Sequence, residues 1–444
     1  MGAGIAQLGC QSGMPTLLYD PIPEALERGE QSVRRRLEKF SGDPADLRVA
    51  DDLGALAACE LVIEAVPERP DLKRELFAEL SARNPDLVLA TNTSSILVTS
   101  LANAAARPEN VVGMHFFNPP PVMQLVEVIA AEQSGDRAIS VATQVAEQMG
   151  KRVIRAQDGP GFLVNRCNRP FGAEALRLLQ ERVATHEQID RILRLGGGFR
   201  MGPFELMDLV GIDVGFEVAK SFMEQSFGEP RWKPSPLQAK KVAAGKLGRK
   251  TGAGWYEYPP GRPDDPEPLE PGGGEGRGIR VLGNGRLWDE LRERAGLAGF
   301  EDGDDLVIGE DVVLRTAGPP PDGKVGFHLL PPLGQLVELT GKRDETVEQV
   351  FAALGFQHEW VGDAPGLVLG RIACQLVNEA AFAIGEGVGS PEDVDAGMKL
   401  GLNHPRGPVE WWRAIGTEHV VSVLDALGGE RYRVAPLLRR GALE

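Results

Sequence analysis

In the stretch Met114-His-Phe-Phe-Asn-Pro-Pro-Pro-Val-Met-Gln-Leu-Val-Glu127, a histidine, His115, stands twelve residues before a glutamate, Glu127. An imidazole and a carboxylate are the pair that oxidation of an alcohol by hydride transfer requires. The imidazole takes the hydroxyl proton as hydride leaves the carbon, and the carboxylate fixes the ring tautomer and stabilises the imidazolium. A carboxylate in the otherwise apolar run Leu125-Val-Glu-Val-Ile129 needs a partner, and His115 supplies one. Taken singly, the two residues also fit a structural histidine at a strand end and a strand-end charge.

Such a pair needs a scaffold, and the first third of the chain predicts one. Apolar or β-branched runs at 16–19, 61–66, 87–90, 111–117 and 125–129 alternate with helix-forming stretches at 21–40, 70–82 and 136–149. That rhythm predicts a parallel sheet flanked by helices, with His115 at the C-terminal end of a strand, where open α/β sheets bind ligands. Gly2-Ala-Gly4 opens a helix, Gly13 closes it, and the next strand ends in Asp20, eighteen residues after Gly2. This is the tail of a dinucleotide-binding fingerprint, in which the acidic residue accepts hydrogen bonds from the adenine ribose and its charge favours NAD over NADP. A glycine-rich helix start followed by Asp is common by itself. The first strand and first two glycines of the fingerprint are absent before Met1, so the expectation is a truncated start lacking the central strand and most of the phosphate loop.

The motifs taken together resemble the 3-hydroxyacyl-CoA dehydrogenases of fatty-acid and phenylacetate breakdown. The resemblance is carried by Asn92-Thr-Ser-Ser95, His115-Phe-Phe-Asn118-Pro, Leu125-Val-Glu127, Asp158-Gly-Pro-Gly-Phe-Leu-Val-Asn165-Arg166 and Gly248-Arg-Lys-Thr-Gly252, and it covers residues 1 to about 258. It implies a Rossmann-like NAD domain over 1–156 and a helical substrate and dimerisation domain over 157–258. It also implies His115 as base, Glu127 as its partner, Ser94 and Asn165 as donors to substrate oxygens, and Asn118 as a positioning residue. Gly2, Asp20, Asn92, Glu68 and Lys73 fall on the cofactor side, the last two beside the nicotinamide. The residues also admit plainer roles: Ser94 as a helix cap, Asn165 as a core-facing amide, Lys73 as a solvated helix-face charge. Gln124 and Trp255 stand where the family often has Lys and Phe.

The remainder of the chain falls into a Pro/Gly/acidic linker over 259–278, a degenerate α/β segment over 279–358 and a second helical domain over 359–444. Asp158-Gly-Pro-Gly, Glu174-Ala175 and Gly202-Pro203 reappear as Asp363-Ala-Pro-Gly, Glu379-Ala380 and Gly407-Pro408, each displaced by 205 residues. The second half therefore reads as a copy of the first. Its His328 lies ten residues from Glu338 rather than twelve, Asn165 becomes Gly370, and Trp288 takes the third fingerprint glycine's place. These departures predict a copy that does not catalyse. Single-copy relatives pair helical domains between subunits, so the resemblance implies a pseudo-dimer within this one chain, with a homo-oligomer beyond it left open.

Composition narrows the function further. With 48 Lys and Arg against 64 Asp and Glu, the net charge of −16 opposes nucleic acid or anionic membrane as the main partner. The four cysteines are far apart, which argues against a zinc site or disulfide framework and for a reduced, cytoplasmic protein. No metal is expected. The leading reading is NAD-dependent oxidation of a (3S)-3-hydroxyacyl-CoA. A related sugar-acid dehydrogenase and a non-catalytic acyl-CoA-binding or scaffold protein are the alternatives.

Overall fold

The computed structural model describes residues 1–40, 43–258 and 277–441. Most of the linker expected at 259–278 lies outside the described residues. The chain divides into two compact units, Met1–Arg166 with Glu386–Leu402, and Cys167–Gly385 with Asn403–Glu444.

The first unit carries two sheets. Strands β1 (Thr16–Leu18) and β2 (Leu47–Val49) pair in parallel. Strands β3 (Leu61–Glu64), β4 (Val88–Thr91), β5 (Val111–Phe116), β6 (Leu125–Ala130) and β7 (Arg152–Gln157) form a five-stranded sheet in that order, parallel except for β5 against β6. All residues of β4 and β5 are buried, as continuous apolar runs covered on both faces must be. Ala138, Ala142 and Ala146 repeat every fourth residue along helix Asp136–Gln148 and bring its buried stripe close against the sheet.

The second unit carries a seven-stranded sheet. Its strands are β8 (Gly278–Val281), β9 (Glu301–Asp302), β10 (Leu306–Ile308), β11 (Val312–Leu314), β12 (Val325–His328), β13 (Leu336–Thr340) and β14 (Gln357–Trp360). They are ordered β14-β13-β12-β11-β10-β8-β9, and β12 against β13 is the antiparallel pair. Here β8 lies between β9 and β10, whereas the first half has no counterpart of β8 among the described residues and its strands form two separate sheets. A large side chain at the third fingerprint glycine's place, here Trp288, obstructs close packing of helix on strand. The obstruction is relieved because Gly283, at φ 141°, has no side chain: a Cβ there would stand 2.3 Å from the indole.

Helices Val164–Gln180 and Leu369–Gly385 are equivalent under the 205-residue displacement. Within the second unit buried ion pairs join the two copies. Arg371 Nε lies 3.0 Å from Glu174, and Arg231 Nη1 lies 2.7 Å from Glu379, the residue equivalent to Glu174.

Candidate active site

His115 and Glu127 are directly opposed in the antiparallel pair of β5 and β6. His115 Nδ1 is 2.6 Å from Glu127 Oε2, and both side chains are buried. The other carboxylate oxygen, Oε1, accepts hydrogen bonds from the backbone amides of Leu163 (3.1 Å) and Val164 (3.0 Å). Those amides are presented by a turn in which Gly161 (φ 72°) and Phe162 (φ 51°) pass through left-handed backbone, a conformation glycine adopts freely and phenylalanine rarely. Phe117 and Phe162 wall the imidazole, with ring centroids 4.6 and 6.0 Å away. With both carboxylate oxygens engaged, the carboxylate plane is fixed. The ring is oriented through Nδ1, and Nε2 has no protein partner among the described residues.

A second polar network, buried at Lys73 and Glu64, holds the loop that carries Asn92 and Ser94. Lys73, predicted as solvated on sequence grounds alone, is instead buried, its ammonium 2.9 Å from Glu64 and 3.0 Å from Glu68. Glu68 accepts from the backbone amides of Ser94 and Ser95 at 3.0 and 3.1 Å and from the hydroxyls of Thr93 and Ser95. Burial pushes the Glu68 carboxyl up, but the Lys73 ammonium and the Thr93 and Ser95 hydroxyls outweigh it and hold the carboxyl below its ordinary value. Thr93 Oγ1 accepts from Ile96 N at 2.9 Å within the loop, and the helix that follows, Val98–Ala102, has Leu97 at its N-cap without a side-chain cap. Ser94 is held by its amide, and its hydroxyl has no protein partner among the described residues. Asn92 Oδ1 accepts from Phe116 N at 2.8 Å and so ties the end of β4 to the residue after His115. Asp158 accepts from the amides of Val98 and Thr99, linking the helix after this loop to the turn that leads to Asn165.

Asn118 is exposed and Asn165 half-buried at the start of its helix. The loop after Asn118 is pinned by Lys151, whose ammonium donates to Pro120 O (2.7 Å) and Met123 O (2.8 Å). Gly2 begins helix Gly2–Gln11, which has neither a side-chain cap nor an acidic first turn. Asp20 follows β1, with Oδ1 accepting from Ile22 N. Sequence reasoning missed Glu64, Lys151 and the amides of Leu163 and Val164. Glu64 had a usable signal, since a carboxylate ending the apolar strand Leu61-Val-Ile-Glu64 calls for a partner just as Glu127 does.

The second copy repeats the frame without the bond. His328 faces Glu338 in the same register, and Glu338 accepts from Val368 N (2.6 Å) and Leu369 N (3.0 Å), the equivalents of Val164 and Leu163 taken in reverse order. His328 Nδ1 is 3.9 Å from Glu338, while Nε2 approaches His419 at 3.5 Å. The His328 ring occupies the space that a side chain at Gly370 would fill, since a Cβ there would stand 2.2 Å from it.

Among the described residues there is no metal-ligating cluster and no helix long and apolar enough to cross a membrane. All four cysteines are free thiols.

Comparison with known proteins accounts for this organisation. The family model "3-hydroxyacyl-CoA dehydrogenase, NAD binding domain" matches residues 1–159. The model "3-hydroxyacyl-CoA dehydrogenase, C-terminal domain" matches twice, at 161–258 and 366–443. A 3-hydroxyadipyl-CoA dehydrogenase of Escherichia coli is 35% identical over 100% of this chain and 95% of its own length. A probable 3-hydroxybutyryl-CoA dehydrogenase of Deinococcus radiodurans is 40% identical over 58% of this chain and 96% of its own. The crystal structure of a 3-hydroxybutyryl-CoA dehydrogenase from Escherichia coli K12 superposes with a TM-score of 0.87 at 34% identity, covering 100% of this chain and 96% of that one. The uncapped helix start at Gly2 and the carboxylate after β1 suit a dinucleotide's pyrophosphate and ribose. The chain belongs to the 3-hydroxyacyl-CoA dehydrogenase family and is an NAD-dependent enzyme of that family.

Proposed function

We propose that the chain oxidises a (3S)-3-hydroxyacyl-CoA to the 3-oxoacyl-CoA, with His115 as general base and Glu127 as the carboxylate that orients it. The observation that carries this reading is the 2.6 Å contact from His115 Nδ1 to a carboxylate whose second oxygen is held by two amides. Nδ1–H donates to Glu127, so the lone pair on Nε2 is the one that accepts the substrate hydroxyl proton. Positive charge then grows on a ring already paired with a fixed anion, an arrangement worth about 10²–10⁴ in rate. Ser94 and Asn165 supply hydrogen bonds to the substrate oxygens, and Asn118 positions the acyl group. Gly2 and Asp20 would hold the pyrophosphate and ribose of NAD, and Asn92, Glu68 and Lys73 would shape the nicotinamide side. Bound there, NAD would supply the acceptor for the hydride that leaves the hydroxyl-bearing carbon.

The acyl group in this reading is short or dicarboxylic, and the pathway is fatty-acid or phenylacetate breakdown. Support comes from the relative named for 3-hydroxyadipyl-CoA, which is similar over the whole chain, and from the one named for 3-hydroxybutyryl-CoA, similar over the first 58%. The Arg371–Glu174 ion pair joining helices 164–180 and 369–385, with Arg231–Glu379 beside it, supports an internal pseudo-dimer, and four unpaired thiols support a cytoplasmic location. The test is NADH formation from 3-hydroxybutyryl-CoA, from 3-hydroxyadipyl-CoA and from a β-hydroxy sugar acid. Turnover of the thioesters supports the reading. Turnover of the sugar acid alone, or NADH binding without turnover, contradicts it.

A further inference from the structure

Residues 386–402 come from the second helical copy, yet they belong to the compact unit of the catalytic sheet. We propose that this segment is a positioning element for the catalytic groups: Gly397, with Gly389 and Gly401, sets where the residues that hold Glu127 and His115 can lie. The second copy thereby takes part in turnover without supplying a reacting group. The inference rests on the assignment of His115 and Glu127 above.

Each of the three glycines lies against a residue that supports the pair. A Cβ at Gly397 would stand 2.6 Å from Val164 Cγ2 and 3.1 Å from Ile154 Cδ1, and the Val164 amide is one of the two on Glu127. A Cβ at Gly389 would stand 2.5 Å from Leu163 Cδ2, and the Leu163 amide is the other. A Cβ at Gly401 would stand 2.8 Å from Leu125 Cδ2 and 3.2 Å from the ring of Phe117, which lies against His115. Polar contacts fix the same segment. Gln157 N donates to Val388 O at 3.0 Å, and Arg166 pairs with Glu386 at 2.7 Å. Asn165 is thus flanked by Val164 packed on Gly397 and Arg166 tied to Glu386.

The docking is built into the repeat. In the other unit Gly362 N donates to Val183 O at 2.6 Å, and 362 and 183 are the repeat partners of 157 and 388. There the first copy's segment lies on the second copy's sheet, with Gln335 N donating to Leu195 O at 2.8 Å. Each sheet is therefore completed by the helical copy of the other half.

The consequence for chemistry follows from stiffness. Carbon atoms settle about 3.5–4.0 Å apart, so a methyl group at Gly397 intrudes on Val164 by roughly 1 Å. Val164 is β-branched and holds essentially one rotamer in a helix, so the strain passes to its backbone and to the amide on Glu127. Displacement of about 1 Å in a catalytic group costs on the order of 10²-fold in rate.

The experiment compares the full-length chain with G397A, G397A/V164A and, as a control in the same copy, G385A, whose Cβ would meet only Leu437 at 3.8 Å. Three quantities are read: kcat and KM, the melting temperature, and the Nδ1–H proton resonance of His115 in isotope-labelled protein. The expected result for G397A is a fall in kcat of about 10–100-fold with KM within about 2-fold, and a lost or shifted Nδ1–H resonance. G397A/V164A should recover much of both, and G385A should match wild type. Wild-type kcat and resonance in G397A, or no recovery in the double variant, overturns the proposal. Should G397A fail to fold, G401A applies the same test through Leu125 and Phe117. If the wild type turns over no acyl-CoA the assignment of the reaction fails, and the resonance alone decides the positioning claim.

Discussion

His328 lies directly opposite Glu338 across two antiparallel strands, yet its Nδ1 stands 3.9 Å from that carboxylate and makes no hydrogen bond. The equivalent pair in the first half, His115 and Glu127, closes to 2.6 Å. The strand register and the two backbone amides on the carboxylate are kept in both copies. Two things differ: both amides fall on one oxygen of Glu127 but on separate oxygens of Glu338, and the second imidazole packs over Gly370 and toward His419.

Burial pushes the Glu338 carboxyl up to about 8 despite the amides of Val368 and Leu369. The folded chain therefore keeps a proton there that the unfolded chain releases above its ordinary value of about 4.5. The resulting stabilisation is full below about pH 4.5 and is lost as pH rises through about 8. Urea unfolding between about pH 5 and about pH 9 should show a shallower decline in E338Q than in wild type. Parallel curves would contradict this.

Glu127 is both an orienting group and the acceptor for two buried amides. E127Q keeps an acceptor for them but loses the charge that favours the imidazolium, so kcat should fall about 10²-fold or more with little loss of stability. E127A also strands the amides of Leu163 and Val164 and should cost a further ~1–3 kcal/mol in unfolding free energy. Equal melting temperatures for the two variants would argue against the role of those amides.

Lys73, itself buried, bridges the buried Glu64 and the exposed Glu68. K73M leaves the buried Glu64 carboxylate without its cation and should destabilise the fold by ~3–5 kcal/mol in urea unfolding at neutral pH. The loss should shrink in acid. Glu68 sits below its ordinary carboxyl value, so the stability it draws from Lys73 is present above that value and disappears as pH falls through the folded one. A K73M penalty that does not depend on pH would contradict the network.

Asp20 is predicted to repel the extra phosphate of NADP. D20N should raise the ratio of kcat/KM with NADP to that with NAD by about 5-fold, the effect of ~1 kcal/mol between charges about 4 Å apart in water. An unchanged ratio would remove Asp20 from the cofactor site.

Much of this was legible in the sequence because it is local. The alternation of strands and helices and the motifs that carry His115, Asn118, Glu127 and Asn165 are properties of short windows, and the 205-residue repeat shows because each matched motif is itself short. Strand β2 is only three residues long, and β7 reads Arg-Val-Ile-Arg-Ala-Gln, so neither produced an apolar run. The spacing of ten between His328 and Glu338 suggested a broken pair, but the shortening lies in the connection and leaves the register intact. Lys73 was read as solvated because its two partners come from β3 and the segment after it, a relation invisible along one helix. The seat of residues 386–402 on the catalytic sheet is likewise purely tertiary, marked in sequence only by glycines at 389, 397 and 401.

The most direct test of the central claim is the steady-state rate of NADH formation from a 3-hydroxyacyl-CoA by wild type and H115Q, with NADH binding measured on both. The account predicts turnover by wild type and a loss of about 10²–10⁴-fold in kcat for H115Q, with NADH affinity retained. H115Q turning over at the wild-type rate would contradict it.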